Sequence, residues 1–307
     1  MILKNMKNPK HIHRIFLMLL LLVFTFTSSL VHAQDTSEPD FTVVQETFLS
    51  PLIIPEEGDS NLYIDTFEDT SFSSPGIPLA QEITMTALST DNLYQGTDYD
   101  SFFEHTVFVG DSLSVGFQNY CTQHSDSIAS KSTYFLARQS GSAKAAISSN
   151  ALTTFSNIMP EYNGKVQLIE DSISQMPDIE KVFICYGMND LVSSTPEQFV
   201  KDLKSLIQKV LNKNPQVTIY VLSIPCIMKD VQTGGLSNSS IQAANALLSS
   251  TCTENQWGFV NIAEYLMNQE NAIYENYSSD GYVHENNAAY REWIKVLRNY
   301  AYEMCNG

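Results

Sequence analysis

The 307-residue chain is short of positive charge: 17 Lys and Arg stand against 34 Asp and Glu, a formal net charge of −17. A chain of that sign repels a phosphate backbone, which argues against nucleic acid as a partner. Cysteine is scarce too. None of the five (Cys121, Cys185, Cys226, Cys252, Cys305) forms a C-x-x-C pair, so zinc-ribbon and thioredoxin-type chemistry have no support. Their odd number leaves at least one thiol free, and Cys185 sits in an apolar run that reads as core. Histidine is rare: six in all, three of them before residue 34. No internal repeat is present, and one apolar run alone is long.

That run, residues 15–26, follows Lys4, Lys7, Lys10 and Arg14 and precedes Val31-His32-Ala33. Basic, then apolar, then small is the order of a cleavable secretory signal peptide, here residues 1–33. The run is short for a membrane span of ~20 residues, and no cysteine stands at the cleavage site to carry a lipid. Residues 34–104 hold fifteen Asp or Glu and no Lys or Arg. Such a stretch repels itself and buries little, so an acidic disordered linker is expected there. Residues 105–307 hold nineteen acidic and thirteen basic side chains and form the expected domain.

Within 105–307, short apolar runs alternate with helical patterns. Strands are expected at 106–109, 133–137, 181–186, 217–223 and 258–262. Helices are expected near 113–122, 141–157, 166–176, 196–213, 238–255 and 286–303. Pro196, after Ser194 and Thr195, suits a first helical turn. The alternation predicts an α/β fold: a parallel five-stranded sheet with helices on both faces. "VFICY" and "VTIYVLSI" are as apolar as strands buried on both sides must be.

Ligands bind outside the carboxyl ends of such strands, and three segments stand there. Ser112, in "FVGDSLSVGF", follows the first strand; Gly187-Met188-Asn189-Asp190 follows the third; residues 225–238, with Gly234-Gly235 inside, follow the fourth as a flexible wall. A serine nucleophile needs a base, and three histidines remain. His105 lies before the first strand, on the order of 23 Å from Ser112 at ~3.3 Å per residue. His124 lies beyond the helix that Ser112 starts, roughly 18 Å away at ~1.5 Å per residue. His284 alone follows the last strand. Asp280, four residues earlier, is placed to accept the imidazole N–H; an Asp-Gly turn with no catalytic role is the competing reading. For a developing oxyanion, Asn189 offers its amide and Ser112 its N–H at a helix N-terminus. Gly141 offers a third N–H, or merely starts a helix.

Together these residues resemble the SGNH, or GDSL-type, hydrolase family. Gly110-Asp111-Ser112-Leu113 matches its nucleophile motif, Gly187-x-Asn189-Asp190 its G-x-N-D motif, and the late Asp280…His284 pair its last motif. The resemblance covers residues 106 to about 303. It implies a three-layer α/β/α, flavodoxin-like fold and a catalytic Ser112, His284 and Asp280. It also implies an oxyanion hole of Ser112, Gly141 and Asn189, with no metal or other cofactor. The family's pair is D-x-x-H, whereas this chain has one residue more; a helical turn over 280–284 would still put both side chains on one face. Ser114 stands where a G-x-S-x-G elbow has its second glycine, which sets the chain apart from the α/β-hydrolases.

The resulting expectation is a secreted serine esterase acting on acyl, chiefly O-acetyl, esters of cell-wall or extracellular carbohydrate, with cell-wall association. A lysophospholipase or short-chain carboxylesterase acting on a small ester is the alternative enzyme. A non-catalytic carbohydrate-binding module is the alternative outside enzymes. A flavin-phosphate loop at "GDSLS" is disfavoured, because Asp111 would repel the phosphate.

Overall fold

Five apolar runs become five strands. The computed structural model describes residues 88–307; the leader read at 1–33 and the linker up to residue 87 lie outside that range. Among the described residues the chain runs β1 (Thr106–Gly110), α1 (Ser112–Gln123), β2 (Thr133–Ala137), α2 (Ala143–Ile147), α3 (Ile169–Ser174), β3 (Lys181–Cys185) and α4 (Pro196–Lys213). It continues through β4 (Thr218–Leu222), α5 (Asn238–Asn255), β5 (Gly258–Val260), α6 (Ala263–Leu266) and α7 (Asn287–Asn306). The sheet order is β2-β1-β3-β4-β5, and every pairing is parallel. Helix α4 packs beside α2, α3 and α5, while α7 packs beside α1 and α6, giving the three layers of the expected α/β class.

The strands are apolar because helices cover both faces. Val107, Val109, Val182 and Ile184 are buried, as are the rings of Phe108 and Phe183, which stack with centroids 4.9 Å apart. Helix α4 forms where Thr195 caps it, accepting the Gln198 N–H at 3.2 Å, with Pro196 in the first turn. Its buried stripe of Phe199, Leu203, Leu206 and Val210 has the three-and-four spacing of an amphipathic helix.

The helix expected over 141–157 ends at Ile147. Ser148 takes the Asn150 N–H on its hydroxyl at 3.1 Å, an alternative to the helical ladder that short polar side chains offer. A small antiparallel hairpin, Glu161–Tyr162 with Lys165–Val166, then turns on Asn163 and Gly164, both at positive φ as a two-residue hairpin loop demands.

Residues 88–104, assigned from composition to the disordered linker, instead pack on α7. Successive turns of that helix each meet them. Glu292 bonds the Thr90 hydroxyl, Asn299 accepts the Tyr94 N–H at 3.0 Å, and Tyr302 stacks on Tyr94 at 4.7 Å. Arg298 grips Asp100 with two bonds of 2.9 and 2.7 Å. Phe103 is fully buried against Phe183. Acidic composition hid this, because one arginine and one phenylalanine are enough to anchor a short polar segment. The folded domain therefore begins no later than Leu88.

Phe103→Ala should cost about 3–5 kcal/mol of stability, the usual range for a buried aromatic. Arg298→Ala should cost about 1–3 kcal/mol, because it leaves the Asp100 carboxylate unpaired. Urea unfolding measures both. Losses under about 0.5 kcal/mol in each would return the segment to the linker.

Candidate active site

Gly110, Ala137 and Cys185 are paired at one level of the sheet, so the chain segments after β1, β2 and β3 leave it side by side. After β1, Asp111 caps α1 by accepting the Leu113 N–H at 3.0 Å. Ser112 is the first residue of that helix, where backbone N–H groups have no intrahelical acceptor. After β3, Gly187 has φ 131° and no room for a Cβ, which would lie 2.3 Å from Ile224 Cδ1. Asn189 and Asp190 follow it.

His284 comes from the loop before α7. Its Nε2 is 3.1 Å from the Ser112 hydroxyl, and its Nδ1 is 2.6 Å from Asp280 Oδ2. The extra residue between Asp280 and His284 is not absorbed by a helical turn. The loop instead wraps around the other carboxylate oxygen: Asp280 Oδ1 accepts the N–H groups of Tyr282, Val283 and His284 at 2.8, 3.1 and 3.2 Å. Gly281, at φ 67°, makes the tight turn. Burial alone would push the Asp280 carboxyl up. The hydrogen bond from His284 and the N–H groups of Tyr282 and His284 outweigh it and hold the carboxyl below its ordinary value.

Neighbouring chain anchors this loop. The Tyr282 carbonyl accepts the Met228 N–H at 3.0 Å, and its hydroxyl meets that of Thr233. Asn286 caps α7 through the Ala288 and Ala289 N–H groups and donates its amide to the carbonyls of Asn276 and Ser278. One turn on, Tyr290 donates to the Leu113 carbonyl at 3.1 Å and so ties α7 to the helix that Ser112 begins. Gly234 and Gly235, expected in a flexible wall, press on the chain after β3. The Gly235 N–H donates to the Val192 carbonyl at 2.9 Å, and a Cβ at Gly234 would lie 2.2 Å from that oxygen.

The other expected residues, Asn189 and Gly141, meet beside Asp111 but are engaged with one another. Asn189 Nδ2 donates to the Gly141 carbonyl at 3.0 Å and stands 3.5 Å from Asp111 Oδ2, long for a hydrogen bond. One amide hydrogen is therefore left over. The Gly141 N–H donates to the Arg138 carbonyl at 3.0 Å and is committed within its own turn. His105 and His124 take no part in this cluster; the His124 ring stacks on Tyr120 at 4.1 Å. Asp190 accepts the Ala143 and Lys144 N–H groups and fixes the start of α2. Burial pushes its carboxyl up to about 6 and that of Asp111 up to about 7.

Sequence reasoning passed over Glu285, next to His284. Its carboxyl is buried, and neither oxygen has a hydrogen-bond partner among the described residues. Burial pushes it up to about 8; the Trp293 indole N–H facing it offsets this in part, and the nearby Asp111 adds to it. A glutamate directly after a histidine that a motif selects was the one available signal. Among the described residues, no three His, Cys, Asp or Glu side chains are grouped to share a metal ion.

Residues 108–292 match the GDSL-like Lipase/Acylhydrolase family. No curated relative matches the chain in sequence. Among solved structures, the chain is similar to a GDSL-like lipase from Bacteroides thetaiotaomicron: 15% identity, 70% of this chain and 94% of that one, TM-score 0.46. It is similar also to Est24, a carbohydrate acetylesterase from Sinorhizobium meliloti, with 12% identity, 65% and 98% coverage and TM-score 0.45. An aryl esterase from M. smegmatis gives 13%, 65% and 98%, and 0.44.

The folded protein holds the Glu285 proton to about pH 8, whereas an unperturbed glutamate releases it at 4.5. Between those values the unfolded chain binds fewer protons, so this residue's contribution to stability declines as pH rises through that window. Glu285→Gln should therefore gain on the wild type steadily between about pH 4.5 and pH 8 in urea unfolding. Parallel pH curves for the two proteins would show that the carboxyl is not held neutral.

Proposed function

The chain belongs to the GDSL-like lipase/acylhydrolase family, and on that premise we propose that it is an exported serine esterase that removes acyl groups, O-acetyl above all, from carbohydrate. The observation that carries the reading is the continuous Ser112–His284–Asp280 hydrogen-bond chain. With Nδ1–H donated to Asp280, the imidazole presents its Nε2 lone pair to the serine hydroxyl. Nε2 takes the hydroxyl proton as Ser112 Oγ bonds to the ester carbonyl carbon, and Asp280 stabilises the imidazolium. The carbonyl oxygen gains negative charge at the N-terminus of α1, where the Ser112 N–H and the spare Asn189 hydrogen meet it. The proton then passes to the departing alcohol oxygen. Water repeats the sequence on the acyl-enzyme and regenerates Ser112. In this reading Gly141 orients Asn189 through its carbonyl, and its own N–H contributes only if the turn at Arg138 opens.

Two features support the substrate. Asp280 and His284 remain exposed, their side chains 35% and 47% accessible, so an ester carried on a bulky chain can reach them. The basic-then-apolar stretch of residues 4–26 supports export, which places substrate and enzyme together outside the cell.

Ser112→Ala should lower ester hydrolysis about 10⁴-fold or more, and a fluorophosphonate should label Ser112 in the wild type. Labelling at another residue would refute the mechanism. Acetate release from acetylated polysaccharides, run beside lysophospholipid and acyl nitrophenyl esters, tests the substrate. A preference for lysophospholipid would replace the carbohydrate reading. Asp280→Asn should lower kcat by as much as ~10⁴-fold. Asp280→Ala also loses the acceptor for three loop N–H groups and should lower the melting temperature further; a loss below about tenfold in both would remove Asp280 from the mechanism.

A further inference from the structure

Beside the loop that carries His284 lies a hollow of about 320 Å³. Three parts of the chain wall it: residues 88–91, the stretch from Tyr265 in α6 to Tyr277, and the face of α7 that bears Glu292 and Lys295. Glu292 and Lys295 neutralise each other there. Lys295 Nζ is 3.0 Å from both carboxylate oxygens, and Glu292 also accepts from Thr90.

The rest of the lining is Leu88, Ser89, three tyrosines and two further polar side chains, Asp91 and Asn276. Tyr265, Tyr274 and Tyr277 contribute three rings, and the last two meet edge to face at 5.8 Å. Neither the three tyrosine hydroxyls nor the side chains of Asp91 and Asn276 bond another described residue, which leaves their donors and acceptors free for an occupant. That chemistry selects its occupant. An anion would meet Asp91 unpaired. A small cation would find Glu292 already taken by Lys295. A purely apolar group would leave the polar ends without partners. A neutral sugar ring, with C–H faces for the tyrosines and hydroxyls for the polar ends, satisfies both halves of the lining.

The hollow is also joined to the catalytic loop. Asn286 holds the Asn276 carbonyl at 2.8 Å and donates its N–H to the Tyr277 carbonyl at 2.9 Å, two residues after His284. Glu292 and Lys295 stand roughly 8 and 12 Å along α7 from its first residue, Asn287, at ~1.5 Å per residue. We propose that this hollow is a secondary sugar subsite, binding one neutral sugar of a glycan whose ester lies at Ser112. The proposal rests on the carbohydrate-ester reading above.

The test is calorimetric titration of the full-length Ser112→Ala protein with unesterified xylohexaose and chitohexaose, and with a galacturonic acid hexamer as the anionic control. At least one neutral hexamer should bind and the anionic one should not. Adding Tyr274→Ala or Asp91→Ala should weaken that binding about tenfold. Asp91 is exposed and its carboxylate bonds no other described residue, so that variant should leave the fold undisturbed. In the wild-type background the same substitutions should leave kcat/KM for p-nitrophenyl acetate within about twofold. Failure of both neutral hexamers to bind, or equal binding by both variants, would overturn the subsite. Failure of the wild type to release acetate from any acetylated glycan would instead overturn the carbohydrate-ester reading.

Discussion

Everything at the candidate site depends on one level in the sheet. Gly110, Ala137 and Cys185 are partners across three strands, so the turns that follow them meet at one edge. Gly110 is what lets α1 begin there. A Cβ at that position would lie 2.0 Å from Ser114 Oγ and 2.6 Å from the Cys185 carbonyl. Any larger residue would lift the first turn of α1 off the sheet and carry Ser112 with it. A one-residue slip in register would exchange the faces of β1 and move Asp111 away from Asn189.

His284 is held by a different device. No strand positions His284; its loop is fixed by the Asp280 carboxylate, the Asn286 cap and the contacts of Tyr282 with Met228 and Thr233. Ser112 and His284 are thus mounted separately, one on the sheet edge and one at the start of α7. The Tyr290 bond to Leu113 joins the two mounts. A site assembled this way tolerates a longer Asp–His spacing, because the loop is organised around the carboxylate and not by helical periodicity.

Much of this was legible in the sequence, for physical reasons that differ by element. Strands buried on both faces must be apolar throughout, so "VFICY" identified β3 almost to the residue. Ser112, Asn189 and His284 were legible because ligand sites follow parallel strands and the chain offers few histidines. The packing of residues 88–104 was not, because its contacts are long-range: Asp100 finds Arg298 and Tyr94 finds Tyr302 across some two hundred residues. Nor did the sequence reveal that the Gly141 N–H would be taken by Arg138, since that depends on the local turn. The turn around Asp280 was missed because helical spacing gave the right side-chain contact by the wrong backbone.

Burial sorts the carboxyls around Ser112 by what they can do. Asp111, Asp190 and Glu285 are each buried, and each is pushed up, to about 7, 6 and 8. Hydrogen bonds from backbone N–H groups at helix starts soften the shift for the first two, while Glu285 has none. Asp280 goes the other way, because it is partly solvated and its oxygens are fed by three N–H groups and an imidazole. Toward neutral pH, Asp280 is therefore the carboxyl of this group most fully ionised, and it alone touches His284. Three of these carboxyls are dry and one is wet, and the wet one meets the imidazole nitrogen turned away from Ser112, where the proposed mechanism needs its counter-charge.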